Sequence, residues 1–97
     1  MRFAWHAGKS AANLRDRGFD FAFATLVFEG PTLERDDTRR DYGERRVVAI
    51  GLAQGIGLTV VYTDRVHAEG DVIRRIVSAR RSNRRERQAY AQAFEAR

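Results

Sequence analysis

Cysteine is absent from the 97 residues, so disulfides, thiolate metal sites and thiol nucleophiles are all excluded. No apolar run approaches the length needed to span a bilayer. Met1-Arg2-Phe3 leads straight into an amphipathic segment without the pattern of a signal peptide, and a soluble, cytoplasmic protein without a membrane contact is expected. Histidine is scarce, with only His6 and His67. With no cysteine beside them and no H-x-x-E-H-like spacing, no metal or other cofactor is expected. Phosphate-cradling glycine motifs and a nucleophile-elbow serine are also missing. Lysine occurs once, as Lys9, and every other one of the 18 basic residues is arginine. Arginine is the side chain that grips phosphate or carboxylate with a planar fork.

What is present centres on Arg74–Arg87, R-R-I-V-S-A-R-R-S-N-R-R-E-R, which holds seven arginines against one acid, Glu86. Val72–Ala79 has the β-branched content of a buried strand. Asn83 followed three residues later by Glu86 is a capping-box variant that opens a helix. The positive charge therefore sits where a strand gives way to a helix start, and such a start itself favours anions. Net charge is +5, with acids concentrated in Glu29–Glu44 and arginines in the C-terminal third. A nucleic acid or an acidic protein partner is favoured over a membrane surface.

Earlier in the chain, Phe3-Ala4-Trp5 reads as a short extended piece and Ala7–Arg17 as a helix stopped by Gly18. Lys9, Asn13 and Asp16 line one polar face of that helix. Asp20 caps a second helix, Phe21–Phe28, ended by Gly30-Pro31, and the two form a helical hairpin. Thr32–Glu44 reads as a polar loop with a short edge strand, and loss of Arg39 within this acidic segment is expected to weaken RNA binding less than loss of Arg80. Arg46–Leu52 and Leu58–Thr63 are strands joined through Gln54-Gly55-Ile56-Gly57. The connection Asp64–Gly70 leads into Val72–Ala79, and residues 83–95 form the last helix. The expected architecture is a single domain of the α+β class: a helical hairpin, an antiparallel sheet of three or four strands in meander order, and a C-terminal helix.

Strand alternation sends Arg75 to one face and Arg74 and Arg80 to the other. Arg75 and Arg80 share a face only if a bulge or the strand's end intervenes, as the Arg74-Arg75 pair allows. For proton transfer the residues offer His67, Tyr62 and Glu44, with no choice among them.

Several pieces in order resemble the BrnT toxins of bacterial type II toxin–antitoxin systems. They are Phe3-Ala4-Trp5 with Lys9 and Asn13; Arg17-Gly18 leading into Phe21 and Phe28; Gly43-Glu44-Arg45; Ile50-Gly51; Val61-Tyr62-Thr63-Asp64-Arg65; Arg75-Ile76-Val77-Ser78-Ala79-Arg80; and Arg84 through Arg87 followed by Tyr90. The strand R-I-V-S-A-R followed by R-R-E-R and a tyrosine is the most specific of them. His6 stands where the family usually has an acid, and Asp16-Arg17 where it often has Lys-His.

The resemblance implies a RelE-like fold and a metal-independent endoribonuclease that slows translation. It also implies a cognate BrnA-like antitoxin with a ribbon-helix-helix DNA-binding region, joined to the toxin in a heterotetramer that meets operator DNA only through the antitoxin. In such an enzyme Arg65, Arg75 and Arg80 are the candidates for phosphate positioning and transition-state charge, with His67 as a candidate proton carrier. Lys9, Arg45, Arg81, Arg84 and Arg85 are candidate RNA contacts. A non-catalytic basic module that binds an acidic protein or RNA is the alternative.

Overall fold

The computed structural model describes residues 1–95. Strands β1 (Arg2–Trp5), β2 (Leu33–Asp36), β3 (Val47–Ala53), β4 (Ile56–Val66) and β5 (Val72–Arg81) form one sheet in the order β1-β5-β4-β3-β2. The meander β2–β5 is antiparallel as expected, while β1 adds a fifth strand that runs parallel to β5, Arg2 opposite Ile73 and Trp5 opposite Ile76. Helices α1 (Ala7–Arg17) and α2 (Phe21–Ala24) make the hairpin, α2 tightens into a 3₁₀ segment over Thr25–Glu29, and α3 (Arg84–Phe94) closes the chain.

One face of the sheet is the core. Val47, Ala49, Leu58, Val60, Tyr62, Ile76 and Ala79 are buried there against Phe19, Phe21, Ala24 and Val27 of the helical hairpin and its 3₁₀ extension. The close approach of that extension demands glycine at position 51, because a Cβ there would stand 2.9 Å from the Val27 Cβ. Helix α1 lacks a broad apolar stripe, and its buried residues are Ser10 and Asn13. Ser10 Oγ accepts the Phe21 N–H at 3.0 Å and the Asn13 amide donates to the Phe19 carbonyl at 2.9 Å, pinning the turn that Gly18 makes with its positive φ of 86°. Asn13 thus belongs to the fold and not to an exposed polar face. Arg17 ties the end of α1 to β5, donating to the Ala79 carbonyl at 2.8 Å.

The β3–β4 turn is tighter than the sequence suggests. Gln54 and Gly55 both take positive φ, as a two-residue turn of the kind that suits twisted strands requires, and Ile56 and Gly57 already belong to β4. Helix α3 crosses the second face beside β3, where the Tyr90 hydroxyl donates to the Pro31 carbonyl at 3.0 Å. The rest of this second face carries Arg35, Arg65, Arg75 and Arg80 alongside the buried Val48 and Val61.

Candidate functional site

Ladder pairing between β4 and β5 runs Thr59 to Arg80, Val60 to Ala79 and Val61 to Ser78, then jumps to Tyr62 opposite Ile76 and Thr63 opposite Arg75. Val77 is the extra residue of a β-bulge. A bulge lets two residues oppose one, so the alternation of side chains slips by one position beyond it. Thr59 and Thr63 are four apart on β4 and share a face, so Arg80 and Arg75 share it too, roughly 13 Å apart along the strand. Arg65, two residues beyond Thr63, is on the same face. Without the bulge, Arg75 and Arg80 would point to opposite sides of the sheet.

The Arg80 guanidinium is held end-on. Its Nη1 and Nη2 donate to the two carboxylate oxygens of Glu86 at 2.7 and 2.8 Å. Glu86 also accepts the Asn83 N–H at 2.9 Å, while the Asn83 side chain accepts the Glu86 N–H at 2.8 Å, a complete capping box. The helix cap and the arginine are therefore one assembly. The hydrogen bonds from Arg80 pull the Glu86 carboxyl down to about 2, and Glu86 in turn raises the Arg80 pKa. A guanidinium has five N–H donors. Glu86 engages the end of the fork, which leaves Nε–H and the outer Nη2 hydrogen along one edge for a ligand.

Arg75 is half-buried and has no carboxylate partner among the described residues. Arg65 contacts Glu44 at 3.3 Å, and Glu44 also holds Arg46 at 3.2 Å. Arg74 goes the other way. It lies on the core face, bonded to both oxygens of Asp64 at 2.8 and 2.9 Å, with its charge 3.9 Å from the centre of the Tyr62 ring and 4.8 Å from that of Phe28. The seven-arginine run is thus not one repulsive cluster but a set divided between two faces and partly neutralised within the fold.

The proton carriers separate as well. Tyr62 is buried and its hydroxyl donates to Glu34 at 2.6 Å. Burial, followed by that bond, pushes its pKa far above the ordinary phenol range, which leaves it protonated at neutral pH. His67 is exposed in the β4–β5 connection, its N–H bonded to the Asp71 carbonyl. It lies eight residues past Thr59, on the order of 26 Å along the strand direction, so the fold does not bring it to Arg80.

Lys9, exposed on α1, borders a cavity of about 310 Å³ with Asn13, Arg17, Val77 and Ser78, directly beside the bulge. Arg45 is exposed and paired with Asp36 at 2.9 Å. Arg81 turns towards the helical hairpin and lines a cavity with Leu14, Phe23 and Ile56. Arg84 and Arg85 are exposed in the first turn of α3.

Two further arginines come close to the site: Arg35, which was not singled out in the sequence, and Arg39, which reads there only as part of the acidic loop. Arg35 stands opposite Val48 on the same face as Arg80, a placement its alternation with Leu33 in the edge strand would have revealed. Arg39 is not remote: its positive charge is close enough to Arg80 to oppose that group's protonation. It is aimed by Asp37, a buried carboxylate that accepts from Arg39 Nε and Nη2 at 2.8 Å and whose pKa those bonds hold well below the carboxylate range. Among the described residues no three His, Cys, Asp or Glu side chains form a group that could hold a metal ion, and no helix is long and apolar enough to cross a membrane.

The model of the family described as the ribonuclease toxin BrnT of type II toxin–antitoxin systems matches residues 5–86. The chain belongs to that family. No individually curated protein matches it. The BrnT match takes in the bulge, the two arginines it aligns and the capping box as far as Glu86. As a member of a ribonuclease toxin family, the chain has RNA as its substrate and a protein antitoxin as its partner.

Proposed function

We propose that the toxin is a metal-independent endoribonuclease whose catalytic charge is supplied by Arg75 and Arg80, with Arg65 continuing the track along β4. The observation that carries this reading is the bulge at Val77, which puts two arginines of one strand on one open face, one with a free hydrogen-bonding edge and the other with no carboxylate partner among the described residues. In the proposed reaction the 2′-hydroxyl attacks the adjacent phosphorus, a 2′,3′-cyclic phosphate forms, and the 5′-oxygen leaves with a proton. Arg80 binds the non-bridging oxygens with Nε–H and Nη2–H, where negative charge builds in the transition state. Arg75 holds a neighbouring phosphate and fixes the chain for in-line attack. With His67 far from Arg80 and Tyr62 bonded to Glu34, water carries the protons, which fits a slow enzyme. Cleavage of RNA in the cytoplasm inhibits translation, and a BrnA-like antitoxin with a ribbon-helix-helix region neutralises the toxin in a heterotetramer by covering the same arginines.

Incubation of the purified protein with labelled RNA in EDTA tests the reading. The expected products carry 2′,3′-cyclic phosphate and 5′-hydroxyl ends, and they disappear for the Arg75→Ala, Arg80→Ala double variant. Cleavage that requires added magnesium would refute metal independence, and tight RNA binding without cleavage would leave a basic interaction module.

A further inference from the structure

Between β2 and α3 lies a groove of about 580 Å³, within the range of roughly 300–1,000 Å³ typical of ligand sites. Its floor is apolar: Leu33 and Ile50 are cross-strand partners, and Ala89 faces them from α3. Its rim is cationic, with Arg35 on β2, Arg85 one helical turn before Ala89, and Arg80 at the inner end. The acids that border it are occupied. Glu34 accepts from the Tyr62 and Thr32 hydroxyls, and Glu86 from Arg80 and Asn83. Arg35 and Arg85 have no carboxylate partner among the described residues.

We infer that this groove is the subsite for the nucleotide that follows the phosphate held by Arg80, and that it takes a single-stranded RNA base on its apolar floor with flanking phosphates on Arg35 and Arg85. The inference rests on the ribonuclease reading and deepens it. A base is a flat, uncharged ring system that stacks on apolar and guanidinium surfaces, while its phosphates seek cations on either side. The groove offers that alternation: guanidinium, apolar floor, guanidinium. An acidic peptide would match the rim but leave the floor without a counterpart. A base fixed here restrains the chain on one side of the scissile phosphate as Arg75 restrains it on the other, so the groove lining sets the base preference of cleavage.

Binding of a labelled single-stranded RNA, 2′-O-methylated throughout so that it cannot be cleaved, is measured for the whole chain, alongside mapping of cleavage sites on unmodified RNA. Ala89→Trp fills the groove from a half-buried helix position and is expected to weaken binding about tenfold, the loss of one stacked base, and to change the base preference on one side of the cut. Arg35→Ala, on the exposed edge strand, is expected to weaken binding without moving the melting temperature, which keeps the test informative if the tryptophan disturbs folding. Leu14→Trp, on the opposite side of the molecule, is expected to change neither readout. Affinity and cleavage pattern unchanged in both groove variants would overturn the inference while leaving the ribonuclease reading intact. Loss of antitoxin binding with RNA affinity intact would overturn it too, by giving the groove to the antitoxin. Wild-type binding without cleavage would sink the enzyme reading, and the groove would still be judged on the affinities.

Discussion

In the proposed mechanism Arg80 has to be both anchored and available, and Glu86 lets it be both. A free arginine side chain gives up rotamer entropy when it grips a phosphate, whereas one held end-on by a carboxylate has already lost that freedom. Removing Arg80 or Arg75 by alanine substitution is expected to slow RNA cleavage on the order of a hundredfold, the scale of losing one donor to transition-state charge, as measured by initial rates on a defined RNA. Glu86→Gln is expected to separate anchoring from folding. Glutamine at this helix position can still accept the Asn83 N–H, so the helix persists, but the charge that aligns Arg80 is gone. The expected outcome is a lower kcat with KM little changed, and an equal loss of Tm and kcat would assign Glu86 a merely structural role. The same pair sets an acid limit. Glu86 is depressed from about 4.5 to about 2 in the folded protein, so its contribution is full above pH 4.5 and is lost as pH falls through 2. Thermal melts across that window should show a shallower acid slope in Glu86→Gln than in the wild type. The charge of these side chains and the separation of Arg74 from Arg75 by alternation were legible in the sequence, but which of the two faces the core, and that Arg80 sides with Arg75, were not. Arg74 sits beside Arg75 in the chain, yet Asp64, Tyr62 and Phe28 claim it for the core face, and only tertiary structure brings those three together.

At the scale of elements, the local signals in the sequence were sufficient wherever the element is held locally. Gly18 at the end of α1, Asp20 before α2 and the Asn83–Glu86 box each act within a few residues, and each stands where the composition puts it. Asn83→Ala is therefore expected to cost about 1 kcal/mol, seen as a lower Tm, and to reduce cleavage through the loosened hold on Arg80. The two features that were not legible depend on distant partners. Strand β1 pairs with a segment some seventy residues away, and nothing in Phe3-Ala4-Trp5 specifies a parallel neighbour. The bulge was anticipated only as a possibility, at the Arg74-Arg75 pair. It forms at Val77 instead, because Ile76 must face the core beside Tyr62 while Ala79 faces it beside Val60, and these two positions are an odd number apart. Gly51 offers a test of the close packing behind the site. Alanine there places a Cβ 2.9 Å from the Val27 Cβ, and the expected cost is about 1–3 kcal/mol, read from denaturant unfolding.

Across the whole molecule the acids and arginines are paired unevenly, and the unpaired arginines define what the surface binds. Asp37, Asp64 and Glu86 are each taken up by one arginine, while Arg35, Arg75 and Arg85 have no carboxylate partner among the described residues. With Arg80 they offer about four phosphate contacts to a single strand, so RNA affinity is expected to fall about fiftyfold between 50 and 200 mM salt. A flat salt dependence would favour an interaction module that recognises something other than phosphate. Under the proposed reading the antitoxin meets the same arginines with carboxylates, so RNA and antitoxin are expected to compete. In cells expressing the toxin without its antitoxin, the Arg75→Ala, Arg80→Ala double variant should relieve growth arrest, and purified antitoxin should bind that variant more weakly than it binds the wild type. Growth arrest that persists in the double variant would take both residues out of the mechanism. Should it persist when Arg65→Ala is added as well, the open arginine face would not be the catalytic surface. If instead growth recovers but the antitoxin binds as tightly as before, inhibition works from a different face, and RNA should still bind the neutralised complex.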